Sequence, residues 1–588
     1  MHYLDYVVLI AYVIGIFAIG GIFGGRIKNS RDMFAAGGQS PWWVSGLSGF
    51  MTMFSAGTFV VWGGIAYKHG FVAITISFCY GIAALFVGFF IAGHWQKIGV
   101  TTAAEFIELR FGKLALQFYT WTGMTYKMIG VGVALYSVAV LLSALVAVPE
   151  GYPFRDLSTG HLAVSWAILL FGGIVVIYTV VGGLWAVLMT DVLQFIVLSL
   201  AVAIVAPLIL GHPDVGGLSG FLSQSPRGFL APTYGELTWF FLVGWVAIHI
   251  FMIGGEWAFV QRFLCVPSER DAKKSAWLFG ILYLISPILW MLPPMVYRVI
   301  NPDANPEEAY ILACREVLPP GAVGLMLAAM FSATASMVDS QLNVFSGVLT
   351  RDFYRSLIRP QSTERRLVTV GRIITTVLGG TLVCFALAVP LFGGAESIIL
   401  SVSSLLVGPL LAPTVWGLLS KRIDGKAVWF TAGLSFAAGI VLKFGFSESG
   451  FLANISSLNL FSAWVQSHTR MTELIVGVML PVLILATLEW RGKTVSSGWQ
   501  RVLAFSRTSE VTKPLPSSDL PARMVAWNVG ILGVLMLVLA VLNSETFAIL
   551  GTFAAALLAI AGMTVWLSKR ARTMREKSNT SLTGSKRS

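Results

Sequence analysis

The run AAMFSATASMVDSQLNVFSGVLTRDFY, Ala328 to Tyr354, decides how the rest of the chain is read. It is an apolar helix that carries Ser332, Thr334, Ser336, Asp339, Ser340 and Asn343 within four turns. Hydroxyls alone are compatible with close packing between helices in a membrane. An acid is different, because a carboxylate in hydrocarbon costs on the order of 2.5 kcal/mol or more. Asp339 is therefore expected to face a cavity, a partner or an ion. On a helix, Asp339 and Ser340 lie one turn below Ser336 and flank its face. The stripe that results is a hard-oxygen surface suited to an alkali cation or a proton.

Composition fixes the surroundings of that helix. The chain has 588 residues, of which 56% are hydrophobic and 12% charged, with 60 glycines. That excess of apolar surface predicts an all-α polytopic membrane protein. About fifteen spans of bilayer-crossing length are expected. They cover residues 5–25, 43–66, 72–96, 116–148, 160–180, 184–211, 236–259, 276–299, 321–350, 369–392, 395–419, 427–446, 472–489, 525–543 and 545–567. The first opens MHYLDY, without a basic flank or a cleavage site, and is read as a span rather than a removed signal.

The formal net charge of +12 would suit a nucleic-acid partner, but its placement points elsewhere. With the N-terminus outside, the clusters Arg26/Lys28/Arg31, Lys97/Arg110/Lys113, Arg262/Arg270/Lys273/Lys274, Arg351 to Arg366, Lys421/Arg422/Lys426, the 490–523 loop and the C-tail all become cytoplasmic. The charge is thus a topology signal for a multi-pass protein of the plasma (inner) membrane. The basic tail 568–588, with KRARTMREK, is expected to touch anionic lipid. No nucleic-acid partner is expected, and the chain is expected to act as a monomer. Glu489 to Ala522 reads as a polar linker, and Ser447–Arg470 as a loop able to lie over a vestibule. Asn454-Ile455-Ser456 matches a glycosylation acceptor. The four cysteines, Cys79, Cys265, Cys314 and Cys384, are dispersed, with only Cys314 placed outside a span; they form neither a metal spacing nor a disulfide framework.

Span two, VSGLSGFMTMFSAGTFVVWGG, and span seven, GWVAIHIFMIGGEWAFVQR, are crowded with glycine, and Glu256 follows Gly254-Gly255. Such runs pack helices closely, or permit an unwound segment whose carbonyls meet a cation. Lys127, in WTGMTYKMIGVGVALY, is the other informative charge. It falls about 11 residues into span four, roughly 16 Å deep, too far for easy snorkelling. Its ammonium requires a carboxylate, either internal (Glu256, Asp191 or Asp339) or on a solute. His249 reads as a packed histidine, while Trp62, Tyr80 and Trp257 are candidates to line a cavity.

YTVVGGLWAVLMTDVLQ, Tyr178 to Gln194, resembles the signature of the sodium:solute symporter family. RDMFAAGGQSPWW (Arg31–Trp43), EFIELRFG (Glu105–Gly112), VQRF (Val260–Phe263) and the closing TRDFY agree with it in order. Together these stretches cover roughly residues 1–420. The resemblance implies a five-plus-five inverted-repeat core, with repeats at 43–211 (spans 2–6) and 212–420 (spans 7–11) and with spans two and seven broken near the midplane. Residues 1–42 would precede it as a first span and loop, and 421–567 would add peripheral spans 12–15. By position, the resemblance implies a Na⁺ site from the carbonyls of Met51, Phe54 and Ala333 and the hydroxyl of Ser336. It also places Asp191 beside the ion's exit and Thr58 against the substrate. Met337 departs from the pattern, since a thioether stands where a second hydroxyl is expected and is a poor ligand for a hard cation. A second family sodium site, needing a hydroxyl in place of Ala333, is expected to be missing.

The reading reached is a secondary active transporter, moving a small organic solute, expected to carry a carboxylate, by alternating access. Na⁺ is the coupling ion and no other cofactor is expected. Asp191 and Asp339 join the cation-binding candidates; Thr58, Lys127 and Glu256 are the substrate-binding candidates. Proton-coupled or uncoupled transport, or a solute-sensing homologue, are the alternatives. A sensor would need an output domain, and an intramembrane enzyme an acid pair or a His/Asp cluster with a hydrolytic motif; neither is found.

Overall fold

The computed structural model describes residues 2–11, 14, 40–181, 184–447, 450, 452–453, 455–508, 520–542 and 547–584. The apolar runs fold as helices at nearly every expected position, because a backbone in lipid must satisfy its own polar groups. Among the described residues eight helices are long and apolar enough to cross a membrane, and the bent pair Trp239–Gly255 and Trp257–Leu264 makes a ninth if read as one span. Shorter apolar helices, Val164–Ile177, Gln194–Leu210, Val529–Val538 and Leu550–Trp566, fall inside four more of the expected spans. Most of the first span lies outside the described residues, which hold a helix at 3–11. Asn454 and the side chains of residues 181–190 are outside them too.

Spans two and seven are both interrupted, where the glycine runs suggested. Span two is helical over Trp42–Thr52 and resumes as a wide turn at Thr58–Trp62 that continues into Gly63–His69. Span seven bends by 54° at Glu256, whose backbone is extended (φ −73°, ψ 136°). Span nine runs Ala322–Val348 without interruption and is almost wholly buried, as its small residues allow.

Spans three (Val72–Phe90) and eight (Glu269–Ile300) meet backbone to backbone. A methyl group on Gly81 would lie 2.9 Å from the Gly280 carbonyl oxygen, and one on Gly280 would lie 3.0 Å from that of Gly81. Neither position has room for a side chain.

One expectation is corrected. The polar stretch after span thirteen is not a plain linker, for Ser497–Thr508 is a helix laid against the helix Ala103–Phe111. Arg110 explains the docking: it is 1% exposed and donates to the carbonyls of Gly417 (3.0 Å) and Ser420 (3.1 Å) and to the Ser496 hydroxyl (2.7 Å). A buried guanidinium needs that many acceptors to offset its desolvation. Cys314 lies outside the expected spans, in the helix Ala309–Val317, where it is fully buried; all four cysteines are free thiols.

Candidate functional site

The break in span two faces a cavity of about 130 Å³, lined by Met53, Ser55, Gly57, Thr58 and Trp62, and span seven lines it with Met252 and Phe259 on either side of its bend. The break in span two leaves backbone groups without helical partners, and side chains take them up. Thr334 of span nine accepts from the Ala56 N–H (2.8 Å), the Ser55 hydroxyl from the Gly57 N–H (3.2 Å), and the Thr58 hydroxyl from the Ser55 N–H (3.4 Å). Unpaired amides in this interior would each cost about 1–3 kcal/mol, so these hydroxyls hold the break in shape.

Lys127 reaches the same cavity from span four. That span begins at Lys113, so Lys127 is 14 residues in, roughly 21 Å along the helix. Its ammonium lies 2.5 Å from Oε2 of Glu256 and 5.0 Å from the centre of the Tyr126 ring. The contact is ionic and lacks hydrogen-bond alignment. The other carboxylate oxygen of Glu256 accepts from Gln341 Nε2 at 3.1 Å. Of the three acids weighed as partners for Lys127, the structure selects Glu256. Gln341 lines the cavity, whereas Glu256 stands behind it. His249 is a packed histidine, as expected: its Nδ1 is 2.7 Å from the Trp245 carbonyl and its ring centre 3.9 Å from that of Tyr80. Trp62 and Tyr80 line the cavity; Trp257 packs instead against Phe345, with ring centres 6.0 Å apart.

The cation candidates sit on a second cluster, where spans two, six, seven and nine converge. Asp191, 1% exposed, takes the Ser48 hydroxyl on Oδ2 (2.6 Å) and the Ser336 hydroxyl on Oδ1. Arg262, 2% exposed, donates to Ser48 Oγ (3.2 Å), Ser340 Oγ (3.3 Å) and the Ala258 carbonyl (3.0 Å), and its Nη2 is 3.9 Å from Asp191. Asp339 is fully buried; its Oδ1 accepts from Asn343 (2.8 Å), and its Oδ2 has no hydrogen-bond partner among the described residues. The Met51 carbonyl accepts from the Phe54 N–H at 3.0 Å, and Ala333 is fully buried. Met337, next to Ser336, is among the residues that line the central cavity.

Sequence reasoning passes over Arg262, Ser48, Gln341 and Thr334 as site residues. Arg262 reads there as a topology charge and as part of VQRF, though its place shortly after Gly254-Gly255-Glu256, inside an apolar helix, is a usable signal.

Two interrupted helices closing on a buried cavity inside a helical membrane protein define a secondary transporter of the inverted-repeat class. The solved structure of a Na⁺-coupled sialic acid symporter, in a substrate-bound outward-open state, shares this fold, with a TM-score of 0.63 at 24% identity over 82% of this chain and 98% of that one. The sodium:solute symporter family pattern matches residues 33–430, and the chain belongs to that family. It is 27% identical to the sodium/glucose cotransporter of Vibrio parahaemolyticus, over 80% of this chain and 91% of the relative. The sodium/sialic acid symporter of Aliivibrio fischeri is 26% identical, over 82% and 91%. The protein is a multi-pass membrane transporter, not an enzyme, and it couples Na⁺ to the movement of a small organic solute.

Proposed function

We propose that the solute carries a carboxylate and binds in the cavity between the two helix breaks, with Lys127 as its cationic anchor and Thr58 and Gln341 beside it. The observation that carries this reading is the Lys127 ammonium at the cavity wall, its charge met by a carboxylate that does not itself face the cavity. Glu256, expected to touch substrate, is assigned instead as the counter-ion behind Lys127.

Na⁺ is assigned to the carbonyls of Met51, Phe54 and Ala333 and the Ser336 hydroxyl, with Asp191 and Asp339 supplying negative charge. The donor set suits a hard cation: carbonyls, a hydroxyl and a buried carboxylate oxygen with no other partner among the described residues. Binding would turn the Ser336 hydroxyl from Asp191 toward the ion and use the second lone pair of the Met51 carbonyl. Residues 43–211 and 212–420 form the two repeats, flanked by 1–42, by peripheral spans within 421–567 and by the basic tail 568–588. The distribution of basic loops supports an N-terminus outside and a C-terminus in the cytoplasm, in a plasma-membrane protein that we take to act as a monomer. Radiolabelled uptake into proteoliposomes, with and without a Na⁺ gradient, tests the whole reading; carboxylate solutes should accumulate only with the gradient.

A further inference from the structure

Glu256 satisfies Lys127 as a solute carboxylate would, but from outside the cavity. Its Oε2 holds the ammonium at 2.5 Å, while the solute-facing side of Lys127 remains at the cavity wall. Among the described lining residues Lys127 is the one lysine or arginine. Most of the remaining wall is apolar, made by Val61, Trp62, Val133, Ile398, Ile399 and Val402. Of the hydroxyls on that wall, Thr52 donates to the Ser48 carbonyl, while those of Thr58 and Ser55 accept from backbone N–H groups at the span-two break. A polyhydroxylated solute would press most of its hydroxyls against apolar wall, and each one left unpaired weakens binding.

We propose that the cavity takes a small apolar monocarboxylate, whose carboxylate exchanges for Glu256 on the Lys127 ammonium while its body fills the apolar wall. The proposal rests on the carboxylate reading above and narrows it to a chemical class. Size agrees with it: a dry apolar cavity of about 150 Å³ accommodates benzene, and this one measures about 130 Å³. Selectivity follows from the pair. A neutral solute cannot displace Glu256, because parting a buried ammonium from its carboxylate without a replacement anion costs far more than a neutral contact returns. Charge explains the need for a cation. Lys127 and Glu256 together are neutral, so an arriving anion leaves the site with one excess negative charge, which the co-transported Na⁺ offsets. Glu256, still bonded to Gln341, is then released at the very residue where span seven bends. Occupancy of the cavity is thereby felt at the hinge.

The test is equilibrium binding to the purified full-length protein in nanodiscs at fixed Na⁺, read by thermal shift and calorimetry. The probes are benzoate and butanoate, their neutral amides, and gluconate and sialic acid as polyhydroxylated carboxylates. Benzoate or butanoate should bind roughly tenfold to a hundredfold tighter than the matching amide, the range set by one charged hydrogen-bonded contact, and tighter than gluconate or sialic acid. Glu256→Gln should tighten their binding several-fold by removing the internal competitor, and Lys127→Met should abolish it. Tighter binding of gluconate or sialic acid would overturn the apolar class and leave the carboxylate reading standing. Amides binding as well as their acids would overturn both. The wild-type comparison decides these outcomes even if a variant fails to fold, and no gradient is involved, so a change of coupling ion does not affect it.

Discussion

Thr334, in span nine, accepts a hydrogen bond from the Ala56 N–H at 2.8 Å, across 278 residues of sequence, and donates its own proton to the Met330 carbonyl at 3.1 Å. One hydroxyl thus ties the interrupted part of span two to the helix that carries the cation candidates.

Thr334→Val keeps the shape and removes the acceptor. Leaving the Ala56 amide unpaired should cost about 1–3 kcal/mol, seen as a lower Tm, and should depress uptake. Thr334→Ser should restore both. Unchanged melting and uptake in the valine variant would show that the break is held by other means.

Arg262 and Asp191 call for a double-mutant cycle. Arg262→Met leaves Asp191 buried opposite no cation and should destabilise the protein by about 3–5 kcal/mol. The pair Arg262→Met with Asp191→Asn should recover most of that loss yet remain impaired in Na⁺-driven uptake. Additive losses in the cycle would mean that the two residues, 3.9 Å apart, do not act together.

Lys127 separates folding from binding in the same way. Lys127→Met alone orphans Glu256 and should lower stability. Adding Glu256→Gln should return the melting temperature close to that of the native protein without returning uptake, since no anchor for the solute remains. Recovery of transport in the double variant would make the ion pair purely structural.

Met337 bears on the ion. Met337→Ser offers the hydroxyl absent from the expected ligand set, and gaining one such contact, about 1–3 kcal/mol, should lower the Na⁺ concentration for half-maximal uptake by roughly 5- to 150-fold. Ser336→Ala should remove the remaining Na⁺ dependence. Uptake indifferent to Na⁺ in both the native and serine proteins, yet abolished by a protonophore, would assign coupling to protons.

The helical architecture is legible because each span announces itself by an apolar run, and the breaks because Gly254-Gly255 and the glycines of span two weaken a helix locally. Asp339 and Lys127 stand out because charge in an apolar run demands a reason. What sequence cannot give is partnership across distance: that Glu256, not Asp191, meets Lys127, or that Asp191 gathers Ser48 and Ser336 from two other spans. Those contacts are set by how helices pack in three dimensions, which periodicity does not encode. Arg110 and Arg262 look alike in sequence to the exposed basic residues that mark topology, yet both are buried, each donating to several acceptors from other parts of the fold. Met337 reads in sequence as a failed cation ligand, and the structure adds that it lines the central cavity.

The contact between Gly81 and Gly280 has a kinematic consequence. Side chains between helices act as bearings, letting one slide or roll over the other by changing rotamers. Two bare backbones in contact have no such bearing, so spans three and eight are pinned to one another at this crossing as one beam. Span two packs on span eight and span seven on span three, so the two interrupted helices are mounted on that beam. Motion that exposes the cavity to either side of the membrane must swing the beam whole, and a bulky residue at Gly81 or Gly280 would prise apart the part that has to stay rigid.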